Sequence, residues 1–435
     1  MGYINESEYC KRPAVLLAAT LRWPLSARLA MRFLAYGCRV SAICPTGHFL
    51  RCVNGLDKVF PYRGLPSLDS LENAIRAANP DIVIPCDDRV VWQLHELYTR
   101  KPDLHPLIEV SLGTANSFEI VECRDRLLDT ARDLGIRIPT TTRVTSEEDV
   151  HRWYREGQYK GVIKLDGTWG GEGVVIAHSE QEAIDTFRKF SRPTGFGTAL
   201  KRLLVNHDPL ALWSWSRLSQ PVITIQQLID GRPANSMLAC WKGEVLSMVS
   251  VEVLASQGAT GAAFLVRIIE NGEMITAAHA LAERLQLTGF VGLDFLIDSA
   301  TGQPYLIEMN PRCTQLGHLP LAGGSDLAGA LCAKIGCGIC ATDEPSVEGR
   351  PIAFFPQAAQ WGKKISFPDD VYNDIPRGQP ELVRELMRPI WPERQWSSRI
   401  YHFIRPPRVV VPVEFRDESR QKEFVSKAID ATVDK

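Results

Sequence analysis

Residues Phe290–Arg312, FVGLDFLIDSATGQPYLIEMNPR, carry the densest set of groups able to do chemistry. Two apolar runs flank Asp298-Ser299-Ala300-Thr301-Gly302, and they read as two strands joined by a turn with glycine where a positive φ is needed. Asp294 falls on the first strand. Glu308 and Asn310 fall on the second, two residues apart and so on one face. An antiparallel pair of this kind can bring Asp294 beside both. Two carboxylates and a carboxamide form a hard oxygen cluster that suits magnesium held together with substrate phosphates. Arg312 follows the second strand, where a planar cation can hold a phosphoryl group. An ordinary hairpin with solvated acids is the plain alternative. Against it, both acids interrupt apolar runs, VGLDFLI and YLIEM, where a charge needs a partner or a metal.

Two further segments fit phosphate chemistry. Gly161–Ala177, GVIKLDGTWGGEGVVIA, reads as a strand ending near Lys164, a glycine-rich loop and a returning strand. Gly167, Gly170, Gly171 and Gly173 let backbone N–H groups approach phosphates, and Lys164 adds a point charge. It lacks the GK[ST] and following helix of a Walker loop, and a simple flexible turn is the alternative. Val222–Gly231, VITIQQLIDG, reads as a strand running into a hinge at Gln226, Gln227, Leu228 and Ile229. Backbone groups there can read an adenine edge while apolar side chains cover the ring. Arg267 closes an expected strand over 263–267 and is a candidate at an acceptor site, with a solvated strand end as the alternative. His318 is either a packed loop histidine or a substrate contact. Trp213 and Trp215 read as packing residues.

Together these segments resemble the ATP-grasp superfamily over roughly residues 14–340, and within it carbamoyl-phosphate-synthase-like enzymes and carboxylate–amine ligases. The stretch from Asp294 to Glu308-Met309-Asn310-Pro311-Arg312 is the most specific part. The resemblance implies that Asp294, Glu308 and Asn310 hold magnesium (or manganese) bridging the ATP phosphates. It implies that Arg312 steadies the transferred phosphoryl group, that Lys164 and the glycine-rich loop bind phosphates, and that Gln226–Ile229 takes adenine. Arg126, in CRDRLL, stands where the family usually has a lysine. Gln226 and Gln227 stand where the hinge commonly has a glutamate. Pro233 replaces an acid that often contacts ribose, and Asp230 or Asn235 is its candidate substitute.

Elements must position these groups. Ala14–Thr20 (AVLLAAT), Arg39–Cys44, Val59–Pro61 and Asp81–Pro85 read as strands, alternating with helices over 24–36, 68–78 and 90–98. This rhythm predicts an open parallel α/β sheet, and ligands of such sheets sit beyond the strand carboxyl ends. Arg22, Asp87, Asp88 and Arg89 stand there as candidate substrate contacts, with capping by Asp87 or Asp88 as the alternative. No dinucleotide glycine fingerprint follows the first strand. The fold expected is α/β: a Rossmann-like pre-ATP-grasp domain over 1–112, a two-lobed ATP-grasp domain over 113–342 with its hinge near 226–231, and a C-terminal extension over 343–435.

Composition narrows the rest. Lys+Arg number 49 against 51 Asp+Glu, a formal net charge of −2. No basic run marks a nucleic-acid partner, and no apolar segment reaches membrane-spanning length. The 11 cysteines, odd in number and often inside apolar runs, read as reduced thiols of a cytoplasmic protein. The CxxC at Cys337 and Cys340 has no second pair. The activity expected from the resemblance is ATP-dependent condensation of a small-molecule carboxylate with an amine through an acyl phosphate, releasing ADP and phosphate. A homodimer is left open. Bicarbonate activation, as in carboxylases and carbamoyl phosphate synthases, is the second reading, and a non-catalytic ATP-binding protein is the third.

Overall fold

The structure, a computed structural model, describes residues 12–65, 67–156, 160–166, 173–192, 196–208, 210, 222–258, 260–322, 326–337, 346–361, 367, 370–405 and 412–415. Strands β1 (Ala14–Ala18), β2 (Arg39–Cys44), β3 (Val59–Pro61) and β4 (Ile82–Pro85) form a parallel sheet in the order β3-β2-β1-β4. Every residue of β1 is buried, which is why it reads as an unbroken apolar run rather than an alternating one. Helices Leu25–Ala35 and Ser67–Ala78 connect the strands. Asp87, just past β4, accepts from the Thr20 and Leu21 N–H groups at 2.6 and 3.0 Å and from the Thr20 hydroxyl at 2.9 Å. It also caps helix Asp88–Arg100 through Val90 N–H. Asp87 therefore fastens the ends of β1 and β4 together.

A second sheet contains β5 (Thr141–Val144), β6 (Gly161–Leu165), β7 (Val174–Ala177) and β8 (Ile223–Gln227), antiparallel in the order β5-β8-β6-β7. One face packs Val144, Ile163 and Ile225 against Val150, Trp153 and Phe187 of helices Glu147–Arg155 and Glu180–Ser191. The two-residue period then turns Val162, Lys164 and Gln226 to the opposite face.

The third sheet is the largest. It runs through β9 (Gly231–Trp241), β10 (Glu244–Ser256), β11 (Ala263–Ile268), β12 (Gly289–Asp298), β13 (Pro304–Asn310), β14 (Ile352–Phe354) and β15 (Tyr372–Asp374) in the order β13-β12-β9-β10-β11-β14-β15, and β16 (Val413–Glu414) pairs with β10. Alternate residues of β9 serve two cores. Leu238 and Cys240 pack with Met274 and Leu281 of helix Gly272–Leu285. Met237 and Ala239 pack with Leu17 and Phe33 of the N-terminal unit. Three residues, 228–230, link β8 in the second sheet to β9 in the third. A Cβ at Gly231 would lie 2.4 Å from the Ile297 carbonyl oxygen, so glycine is what lets β9 begin so close to β12. Among the described residues no helix is long and apolar enough to cross a membrane, and no disulfide joins the described cysteines.

Candidate active site

A cavity of about 500 Å³ opens where this opposite face of the second sheet meets the third sheet and the strand ends of the N-terminal unit. Lys164, Gln226, Gln227, Leu228, Ile229, Asp294, Glu308, Asn310 and Arg312 all line it. Segments far apart in sequence thus converge on one space.

The β12–β13 hairpin sets the acids. Asp294 lies directly opposite Glu308, and Gly292 opposite Asn310. The next pair is Phe295 with Leu306, so Ile307 is an extra residue in the ladder. This bulge breaks the alternation. Ile307 and Glu308 both line the cavity, while Leu306 and Met309 pack into the core behind. Asp294 accepts from Asn235 Nδ2 at 2.6 Å and from Asn310 Nδ2 at 3.0 Å. Glu308 accepts from Arg124 Nη2 at 2.8 Å, and Arg124 Nη1 donates to Asp166 at 2.6 Å. Arg312 donates from Nη2 to Asn310 Oδ1 at 3.1 Å, and its Nε lies 3.0 Å from Asp88 Oδ2.

Burial and close charge push these groups apart. Desolvation and the neighbouring Glu308 raise the Asp294 carboxyl to about 6. Glu308 goes the other way: burial opposes ionisation, but Arg124 and Lys164 outweigh it and hold its pKa below the usual range. Lys164 is lowered to about 8 by burial and by the positive charge of Arg124. For Arg124 burial is unfavourable, and Glu308 and Asp166 more than compensate. Two facing acids whose ionisations conflict are what a divalent cation relieves. Among the described residues no group of three or more His, Cys, Asp or Glu side chains could hold a metal alone. Asp294, Glu308 and the Asn310 amide oxygen are a hard oxygen set of the kind that holds magnesium together with phosphate and water.

Several residues lie elsewhere than expected. Arg126 is exposed and pairs with Glu119 at 2.5 Å, away from the cavity. Of the two arginines in CRDRLL it is Arg124 that lines the cavity, and no local pattern singled it out. The two differ by two positions on helix Arg124–Asp133, about 200° apart around its axis, so CRDRLL alone does not say which faces inward. Arg267 does not line the cavity. It pairs with Glu252, its cross-strand neighbour, while Val251, Val253 and Val266 line the cavity, and alternation sends Arg267 and Glu252 to the far face. Arg22 also stays outside, donating to the Thr46 and His207 carbonyls at 2.9 and 3.2 Å. Asn235, offered as a ribose contact, holds Asp294. His318 is buried and hydrogen-bonded to Asp374 at 3.0 Å. Gly173 accepts from Leu165 N–H at 2.8 Å at the end of the β6–β7 ladder. Gly167, Gly170, Gly171, Trp213, Trp215 and Cys340 lie outside the described residues.

Residues 126–315 match the model of the ATP-grasp domain. The chain carries an ATP-grasp domain. Relatives agree with this at low identity. The carbamoyl phosphate synthase large chain of Thermus thermophilus is 22% identical over 214 residues, covering 49% of this chain and 19% of that protein. The phosphoribosylamine–glycine ligase of Chlorobaculum tepidum is 28% identical over 231 residues, covering 49% of this chain and 51% of the relative. This chain therefore spans about a fifth of the length of the synthase and about half that of the ligase. Among solved structures, N5-carboxyaminoimidazole synthetase from Staphylococcus aureus, complexed with ADP, superposes with a TM-score of 0.53 at 13% identity, covering 77% of this chain and 79% of the other. The likeness of fold thus extends beyond the matched residues into the α/β architecture around them.

Proposed function

We propose that this chain is an ATP-dependent carboxylate–amine ligase. The observation that carries the proposal is the convergence of Lys164, Arg124, Asp294, Glu308, Asn310 and Arg312 on one cavity beside the β8–β9 connection. The residues Gln226–Ile229 receive the adenine, whose ring Val162 and Leu296 can cover from the two sheets. Lys164 and Arg124 hold the phosphate chain by charge. Magnesium held by Asp294, Glu308 and Asn310 supplies charge neutralisation to the phosphates when bound.

Arg312 orients the carboxylate against the γ-phosphorus. A carboxylate oxygen bonds to that phosphorus as the bond to the ADP oxygen breaks, giving an acyl phosphate and ADP. The amine then bonds to the acyl carbon, phosphate leaves, and the amine's proton passes to solvent. Positioning and charge stabilisation suffice for both steps, so no covalent nucleophile from the protein is required. The likeness to carbamoyl phosphate synthase large chains supports a second reading, bicarbonate as the acid activated. Incubating the chain with ATP, magnesium, a pool of carboxylic acids and hydroxylamine tests the proposal, since hydroxylamine traps acyl phosphates as hydroxamates. ADP, phosphate and hydroxamate are expected. AMP and pyrophosphate would mean adenylation and would overturn the ligase assignment.

A further inference from the structure

The cavity is divided by chemistry across the third sheet. Over β13, β12 and β9 stand the polar groups Glu308, Asn310, Asp294 and Asn235, with the apolar Ile307, Phe295, Leu296 and Pro233 beside them, and both charged groups of the sheet's lining are here. Next to them, over β10 and β11, the lining is uncharged and mostly apolar, with Val251, Val253, Ala263 and Val266 beside Ser256. The N-terminal unit closes this side with Trp23, Leu25 and Leu29. Leu29, Val251, Val253 and Val266 belong to one contiguous buried cluster. Among the described lining residues, none on β10, on β11 or on helix Leu25–Ala35 is charged. The charges nearest in sequence, Glu252 and Arg267, pair with each other on the sheet's far face. Arg312 lies 3.0 Å from Asp88, and the chain that follows it crosses toward β11, where Gln315 Nε2 donates to the Ala263 carbonyl at 2.8 Å.

Resting on the ligase reading above, we infer that the activated co-substrate is a carboxylic acid with an apolar body, branched aliphatic or aromatic, seated in the chamber over β10 and β11. The nucleotide occupies the hinge side and the charged middle of the cavity. The acid's carboxylate must meet the γ-phosphate beside Arg312, so the rest of the molecule extends into what adjoins Arg312 on the other side. A second carboxylate or an ammonium placed there would be desolvated without a partner. Bicarbonate has no body and would leave the chamber unfilled. An α-ammonium group is tolerated only next to the carboxylate, within reach of Asp88.

The test is hydroxamate formation by the full chain with ATP, magnesium and hydroxylamine, using matched acids: 3-phenylpropanoate against succinate, and L-leucine against L-glutamate. Bicarbonate is followed by ADP release. The apolar member of each pair is expected to show a kcat/KM about 100-fold higher. Leu25→Asp puts a charge in the chamber at the first residue of a helix, where an acid is compatible with the helix dipole. It is expected to raise the KM of the apolar acid at least about 10-fold more than the KM of ATP. Trp23→Ala, in the loop before that helix, should shift preference toward larger acids. If succinate, L-glutamate or bicarbonate is used as well as or better than the apolar acids, with ADP still released, the chamber is not the acid's seat and the ligase reading survives without it. If no acid yields ADP, the ligase reading fails and this inference falls with it.

Discussion

Lys164 and Asp294 face the same cavity, and burial moves both toward neutrality with opposite consequences for pH. Lys164, at about 8, loses its charge as pH rises through that value. In the free protein the affinity for ATP should therefore fall above about pH 8, by up to about tenfold per pH unit, because binding must first recapture the proton. Lys164→Arg keeps its charge at every working pH. Calorimetric titration with ATP between about pH 7 and about pH 9 should slope for the wild type and stay flat for the arginine variant. Equal slopes would mean that Lys164 does not meet the phosphates. Asp294, raised from 3.8 to about 6, affects folding. The unfolded chain loses this proton first, so stability without metal declines as pH climbs from about 4 through about 6 and stays lower above. Asp294→Asn removes that cost and should melt higher than the wild type at neutral pH in EDTA, by on the order of 1–2 kcal/mol. The difference should close below about pH 4. Magnesium with a non-hydrolysable ATP analogue should then raise the wild-type Tm by more than the variant's. An equal rise in both would remove Asp294 from the metal site.

At the scale of elements, the sequence was legible wherever one period runs unbroken. The limits of β2 and β3 match the structure, β1 and β4 begin or end within two residues of it, and the Gly302 turn is confirmed by φ of +70° and by Asp298 accepting from Ala300 and Thr301 N–H. Legibility stops where a period is interrupted or two phases compete. Ile307 adds a residue to β13, and no composition signal marks it. Strands of three residues such as β14 and β15 are too short to show any alternation. In CRDRLL the phase of helix Arg124–Asp133 decides which arginine faces inward, and tertiary packing of Leu127, Leu128 and Ala131 sets that phase. This gives a test at the same scale. Arg124→Ala should lower kcat for ADP release by about 10²-fold, as loss of a preorganised cation beside developing phosphate charge does. Arg126→Ala, on the exposed face, should stay within a few-fold. The reverse order would show that nucleotide binding rotates or replaces this helix turn.

In the whole molecule the cavity depends on contacts between segments that the sequence keeps far apart. Asp374, at the end of β15, accepts from Arg28 on helix Leu25–Ala35 and hydrogen-bonds His318 Nε2 at 3.0 Å, and all three are buried. Arg28 and Asp374 are 346 residues apart, a pairing no local pattern announces. Its position explains its importance. Helix Leu25–Ala35 brings Leu25 and Leu29 to the cavity, His318 lies two residues past the cavity residue Leu316, and β15 extends the large sheet. One carboxylate therefore ties the N-terminal unit and the C-terminal strands to the loop that follows the hairpin. Asp374→Ala would leave a guanidinium buried without its counter-charge, and Arg28 Nη1 and His318 Nδ1 already have no hydrogen-bond partner. The expected loss is about 3–5 kcal/mol, read as a lower Tm in thermal melts. Asp374→Asn keeps the shape and one acceptor and should lose less. Because the tie also holds one wall of the cavity, the asparagine variant should show a higher KM for the acid with an ATP KM near that of the wild type. A Tm unchanged in Asp374→Ala would show that the large sheet and the N-terminal unit are held together by their shared apolar core alone.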